Sequence, residues 1–468
     1  MRRTLQLVIV AAVVLASALA GATAAAARAA EGWQRATVAG ATISLQLSDI
    51  AMVDATVGLA VGEIEQGGAV ALRPTIYRTG DGGATWAQVS NEQIYGMLRG
   101  VAFSDARHAW AVGADYGSGD RQAALMLASI DGGQTWKRVA VAGQEGMLSV
   151  QFPTASTGYV TADGGVLYTT TDGGATWVRG AAGAKDVSLY GLSFTDATHG
   201  WICGAQGNED WYGGRCYVTI DGGATWRDVT PDPEAVLLDG SFLPGGEGWV
   251  VGRNGRIFHT GDGGQTWERQ SAAIGAGVDL AGVQFVDAQN GWAVGSCWPL
   301  EYGGMGWAVI LHTVDGGQTW TQQDCGVAPS AQSVAVRDAT SAWAAGNEGL
   351  VLRTGDGGGA GFTPTASPVT SALHAVKARK GAIATFRFQV TDPGVPRARA
   401  VVLIYDARKH LKKSVVAGFQ ATGTAVTHEA RLTLPAGRYT WKVVCVDYAG
   451  RKQVKAGANT LVVLPATR

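Results

Sequence analysis

Cysteine and proline are scarce in this chain, at 5 and 13 of 468 residues. So few thiols exclude a disulfide-framed miniprotein, and their spacings match no zinc-ligand pattern. Charged residues make up only 16% of the chain and the formal net charge is −1. That balance, without basic–aromatic strand patterns, argues against nucleic acid as a partner. Beyond the first twenty residues no apolar run is long enough to cross a bilayer as a helix. No phosphate loop, Ser-His-Asp signature or metal spacing is visible, so neither cofactor nor metal is expected.

What the chain has in abundance is glycine (68) and tryptophan (16), and both recur in one phrase. Thr260-Gly-Asp-Gly-Gly-Gln-Thr-Trp267 returns with small changes ending at Trp86, Trp136, Trp177, Trp226 and Trp320. A seventh copy, Thr354-Gly-Asp-Gly-Gly358, loses its Thr-Trp ending. Repetition at roughly 40–50 residues marks a propeller or solenoid. Asp-Gly-Gly supplies a side chain that caps backbone amides and two residues that tolerate positive φ, while Thr-Trp opens a strand. The aspartates Asp81, Asp131, Asp172, Asp221, Asp262, Asp315 and Asp356 are therefore expected to be structural turn residues. A single active site has no use for seven equivalents.

A second phrase precedes each turn, as in Phe103-Ser-Asp-Ala-Arg-His-Ala-Trp-Ala-Val-Gly113 and Phe285-Val-Asp…Gly291-Trp292-Ala-Val-Gly295. It returns around Trp201, Trp249 and Trp343 and, weakened, around Leu59 and Tyr159. Each unit then reads as four strands, and seven units predict an all-β, seven-bladed β-propeller. The turn phrase resembles the Asp-box, or bacterial neuraminidase repeat. Together the two phrases resemble propellers of the photosystem II stability/assembly factor family over residues 31–366. That resemblance implies a secreted, non-catalytic scaffold that helps assemble or stabilise a membrane-associated complex.

Arg2 and Arg3, an apolar run from Leu5 to Ala20 and small residues to Ala30 read as a cleaved signal peptide, residues 1–30. This predicts a secreted or extracytoplasmic protein at the periplasm or cell surface. Residues 31–362 form the predicted propeller, 363–370 a Pro/Ser/Thr linker, and 371–468 a second domain. The segment Glu31-Gly-Trp33-Gln-Arg-Ala-Thr-Val38 resembles a fourth strand out of place, and is expected to complete the seventh blade and close the ring.

Loops between second and third strands are long in blades one, two, four and six and should share one face. Loops on a rigid scaffold commonly bind, so the predicted binding residues are Asp115, Tyr116, Glu209, Asp210, Trp211, Tyr212, Trp298, Glu301, Tyr302 and Trp307. Disulfides Cys203–Cys216 and Cys297–Cys325 are expected to pin two of these loops. In the last hundred residues, strand alternation around Phe386 and Trp441 resembles an immunoglobulin- or fibronectin-like sandwich. Leu434-Pro-Ala-Gly-Arg-Tyr439 resembles its tyrosine corner, and Asp447-Tyr-Ala-Gly450 a hairpin turn.

Charge divides between the domains. From residue 366 onward there are 17 Lys+Arg and 4 Asp+Glu, whereas residues 31–365 carry 17 and 34. The basic domain suits an anionic wall polymer or lipid surface, or simply the acidic propeller. The sequence reading is thus a monomeric, exported, non-catalytic propeller that binds a protein complex at a membrane or cell surface. Its alternative is a glycan-binding or glycoside-hydrolysing Asp-box propeller of sialidase or xyloglucanase type. A hydrolase needs two carboxylates about 5–10 Å apart, and the sequence singles out no such pair, so no catalytic residue is assigned.

Overall fold

In the computed structural model residues 32–466 are described, apart from 66–71, 90–94, 118–122, 184, 207–212, 276, 299–305, 327 and 363. Except for two 3₁₀ turns, Asp163–Gly165 and Arg253–Gly255, every element among these residues is a strand. The expected all-β class holds, and the N-terminal part is a β-propeller. Its strands form seven sheets, each built on four consecutive antiparallel strands or on three plus an N-terminal strand. The first strands adjoin one another in a closed circuit, with Ala331–Val336 of the seventh sheet against Leu45–Met52 of the first.

The turn phrase folds as its chemistry dictates. In the first copy Asp81 accepts from the Thr79 hydroxyl (2.8 Å), the Ala84 and Thr85 amides (2.9 and 3.0 Å) and the Thr85 hydroxyl (2.6 Å). Thr79 accepts in turn from the Gly83 amide. Gly82 and Gly83 adopt φ of 73° and 83°, which a side chain would strain. These donors hold the Asp81 carboxyl down at about 2 despite its partial burial.

The two repeated phrases meet between sheets. Trp201 stacks on Phe242 of the next sheet at 4.4 Å, and Trp267 of that sheet's turn meets the same phenyl edge-on at 6.2 Å. Trp249, Phe285 and Trp320 repeat the triplet, as do Tyr159, Phe194 and Trp226. The aromatic spacing in sequence is thus a packing code between neighbours, not a set of ligand platforms.

Closure occurs where the last turn is damaged. Gln34–Arg35 pairs antiparallel with Leu350–Thr354 of the seventh sheet, and Thr37–Val38 runs parallel to Thr85–Gln88 of the first. Asp356, without its Thr, accepts from the Gly32 amide instead (3.1 Å). Trp33 is buried and donates to Gln323 at 2.7 Å, supplying the indole that the seventh turn lacks.

The C-terminal domain packs a three-stranded sheet on a five-stranded one, around Phe386, Phe388, Trp441, Val443 and Cys445. Its first strand, Val369–Ala372, starts inside the expected linker because buried Thr370 bonds the Val443 carbonyl at 2.7 Å. Tyr439 donates to the Pro435 carbonyl at 3.0 Å. The 447–450 turn forms, and its tip is wedged into the sixth propeller sheet. Trp307 and Gln322 both donate to the Tyr448 carbonyl (3.0 Å each), and the Gly275 amide donates to the Ala449 carbonyl.

Replacing Trp33 by Ala should lower stability by about 3–5 kcal/mol, because it empties a buried site and leaves the Gln323 carbonyl only the longer Trp292 indole bond at 3.3 Å. Trp298→Ala, at a ring 39% exposed, should stay within about 0.5 kcal/mol. Urea unfolding of both variants checks the contrast, and equal midpoints would refute the closing role of Trp33.

Candidate functional site

Every first strand carries a one-residue bulge at its second or fourth residue, at Ser48, Arg99, Leu148, Tyr190, Leu238, Ala281 and Gln332. An unpaired extra residue bends the strand and re-aims its side chain. All seven line one central cavity of about 430 Å³. Glu63 and Asn347 join the lining from the loop ends of two second strands, so the cavity opens on the face that carries the second-to-third strand loops.

The mouth of this channel is polar and centred on Arg99. The guanidinium is near enough for its charge to act on Tyr116, Glu63 and Tyr190. Burial pushes the Glu63 carboxyl up to about 7, against the opposing pull of Arg99 and the Ser48 hydroxyl. Burial likewise raises the Tyr116 and Tyr190 phenols. With Arg253 also acting on Tyr190, the arrangement offers guanidinium groups, a buried carboxyl and two phenols.

Deeper in the channel, burial lifts Asp49 to about 6 and Asp239 to about 7. Both are tied to the walls. Asp49 accepts from the Ile50 and Val101 amides (2.9 Å each) and from Ser333 (2.6 Å), so it links three sheets. Asp239 accepts from the Val283 amide of the next sheet at 2.9 Å. Gln151, Ser193, Ser241 and Gln284 make the same stitch to the following sheet.

The expected binding residues are only partly brought together. Tyr116 stands at the channel mouth, while Asp115 is turned to Arg138 at 2.6 Å. Trp298 is exposed on the loop face. Trp307 is corrected: it is 1% exposed and serves the interdomain wedge, with Phe419 edge-on at 5.0 Å. Glu209, Asp210, Trp211, Tyr212, Glu301 and Tyr302 lie outside the described residues. Asp131, Asp172, Asp221, Asp262 and Asp315 each accept from the following Thr hydroxyl at 2.6 Å, as Asp81 does.

Neither expected disulfide is formed in the structure, where all five cysteines are unbridged. Cys203 and Cys216 sit opposite each other in register with sulfurs 3.0 Å apart, beyond a 2.05 Å bond. The 447–450 turn keeps the other two apart: Cys325 faces the Tyr448 hydroxyl at 3.0 Å, and Gly450 lies against Cys297. Glu63, Tyr190, Asp49 and Asp239 were not singled out by sequence reasoning; a residue breaking alternation early in each first strand is the signal that marks the bulges.

Ring-closed repeat sheets around a polar axial cavity define a β-propeller. The family described as photosynthesis system II assembly factor YCF48 matches residues 84–185, 181–272 and 217–360, more than half of the chain. The chain belongs to that family. It is 30% identical over 134 residues to the photosystem II assembly lipoprotein Ycf48 of Synechococcus sp. (strain CC9902), covering 28% of this chain and 37% of that protein. To the chloroplastic photosystem II stability/assembly factor HCF136 of Arabidopsis thaliana it is 21% identical over 297 residues, covering 50% and 72%. Among solved structures, YCF48 bound to D1 peptide matches with a TM-score of 0.52 at 20% identity, covering 69% of this chain and 96% of that one. YCF48 from Cyanidioschyzon merolae gives 0.51 at 18%, covering 69% and 98%. At these identities both speak to the fold.

Asp239 retains its proton in the folded channel up to about pH 7, whereas the unfolded chain loses it near pH 4. Its contribution to stability is therefore full below about pH 4 and falls away as pH rises to about 7. Asp239→Asn should gain about 1–2 kcal/mol relative to wild type between pH 4 and pH 8, allowing for water in the channel. Paired urea titrations at the two pH values check this, and a pH-independent difference would refute it.

Proposed function

We infer that this chain is an exported, non-catalytic assembly scaffold that binds a segment of a protein partner in a membrane-associated complex. Residues 1–30 serve as its leader. Its architecture is a seven-bladed Asp-box propeller followed by an immunoglobulin-like sandwich, a reading supported by the seven sheets, the seven Asp-centred turns and the Tyr439–Pro435 bond. The single observation that carries the functional reading is the channel mouth: Arg99 with Glu63, Tyr116 and Tyr190 around it. A relative solved with a D1 peptide bound supports a peptide as ligand. The channel's buried carboxylates, Asp49 and Asp239, bind backbone amides of adjacent sheets, which suits holding the ring better than acid–base hydrolysis.

Affinity capture from the host's membrane and extracytoplasmic fractions tests this, comparing wild type with Arg99→Glu. Wild type should recover one membrane protein and its complex, and the variant at least about tenfold less, since a reversed charge at a binding centre removes its anchor and repels the ligand. Equal recovery would move the site off the channel mouth. Recovery of polysaccharide in place of protein would sink the scaffold reading.

A further inference from the structure

Basic residues outnumber acids 17 to 4 from residue 366 onward, and three of the four acids are engaged within the domain. Asp392 and Asp447 are buried beside Arg451, and Asp406 holds Lys412 at 3.1 Å. Apart from Arg397, Arg399 and Arg451, which are buried or paired, most of the cations are left facing outward, and the strand register shows where. In the five-stranded sheet Lys377, Val462 and Arg438 stand in one row across three strands. Arg379 stands beside Leu464, and Lys442 between Leu403 and Ala458.

Directly paired residues share a sheet face, so Lys377, Arg379, Arg438 and Lys442 form one patch, all exposed. None of the four is within ion-pairing distance of a carboxylate among the described residues. Between and beside them the face carries Thr440, Thr460 and Ser414 together with apolar groups. Tyr405 lies 5.5 Å from the Lys442 ammonium and is paired with Leu411, while Val416 is paired with Val401. Leu411 and Val416 are 53% and 49% exposed.

We propose that this face docks the protein on an anionic bilayer surface, with the four cations on lipid phosphates and Tyr405, Leu411 and Val416 at headgroup level. A soluble polyanion would need only the charges. Exposed aliphatic and phenolic groups among the cations find use where an apolar layer lies beneath the phosphates, and long Lys and Arg stems bridge the two. Each basic residue near such a surface strengthens binding about fivefold. The surface lies outside the residues matched to the family, and the inference does not depend on the channel mouth binding a peptide.

The test is co-sedimentation of the protein, purified from the extracytoplasmic fraction, with phosphatidylcholine vesicles lacking or containing phosphatidylglycerol. Wild type should bind only the anionic vesicles and release in high salt. The Lys377→Gln/Arg438→Gln/Lys442→Gln variant should bind about a hundredfold more weakly. Leu411→Ser/Val416→Ser should also weaken binding, although it leaves the charge intact. An unchanged unfolding midpoint shows that each variant is folded. Equal binding by wild type and the triple variant would overturn the proposal. Retention on immobilised polyphosphate with no vesicle binding would overturn the lipid assignment in favour of a soluble polyanion.

Discussion

The propeller depends on closing a ring whose last sheet lacks an outer strand of its own. Sheets one to six take their outer strand from the chain that follows their turn, but after Asp356 no Thr-Trp ending comes. The segment 32–38 fills the gap in three ways at once: a strand, an amide for Asp356, and an indole beside Gln323. It then continues alongside the first sheet. Without it the array would present an open sheet edge, and the neighbouring aromatic packing would lose a wall. The chain exit adds a second tie, since Gly361–Phe362 pairs with Thr321–Gln323 of the sixth sheet.

How much of this was legible follows from where information is repeated. Seven copies of Asp-Gly-Gly and the Trp–Phe spacing state the turns and the sheet contacts many times over, so the ring and even its N-terminal closure could be read. The channel could not be read in the same way. Its seven bulge residues share a position and no chemistry: Ser48, Arg99, Leu148, Tyr190, Leu238, Ala281 and Gln332. A geometric repeat that varies in side chain leaves no repeated letter, yet that freedom is what allows one scaffold to carry a particular binding centre.

Trp307 shows a second limit. An aromatic among glycines in a loop insertion looks like a recognition residue, and nothing local says otherwise. Its partner, the Tyr448 carbonyl, lies 141 residues further along. The same distant turn engages both Cys297 and Cys325, which spacing alone had paired. The sixth sheet's strands, through Cys297, Trp307 and Gln322, therefore serve partly as a socket for the second domain. Arg397 facing Asp324 at 3.4 Å adds an ionic contact between the domains.

The division of charge needs the structure to be weighed. Counted as residues, the propeller is as conspicuously acidic as the sandwich is basic. Many propeller aspartates, however, are committed to turns. The Asp81 family caps one turn in each sheet, and Asp54, Asp105, Asp196, Asp287 and Asp338 cap another through amides two and three residues on. Their ionised form is held by backbone donors, so their charge is fixed by folding and leaves fewer carboxylates free to recruit a ligand. In the sandwich the accounting runs the other way, since three of its four acids are engaged internally and most of its cations are exposed. The count that looks symmetrical in sequence thus describes architecture in one domain and surface chemistry in the other. Electrostatic attraction to an anionic partner should therefore arise mainly from the sandwich.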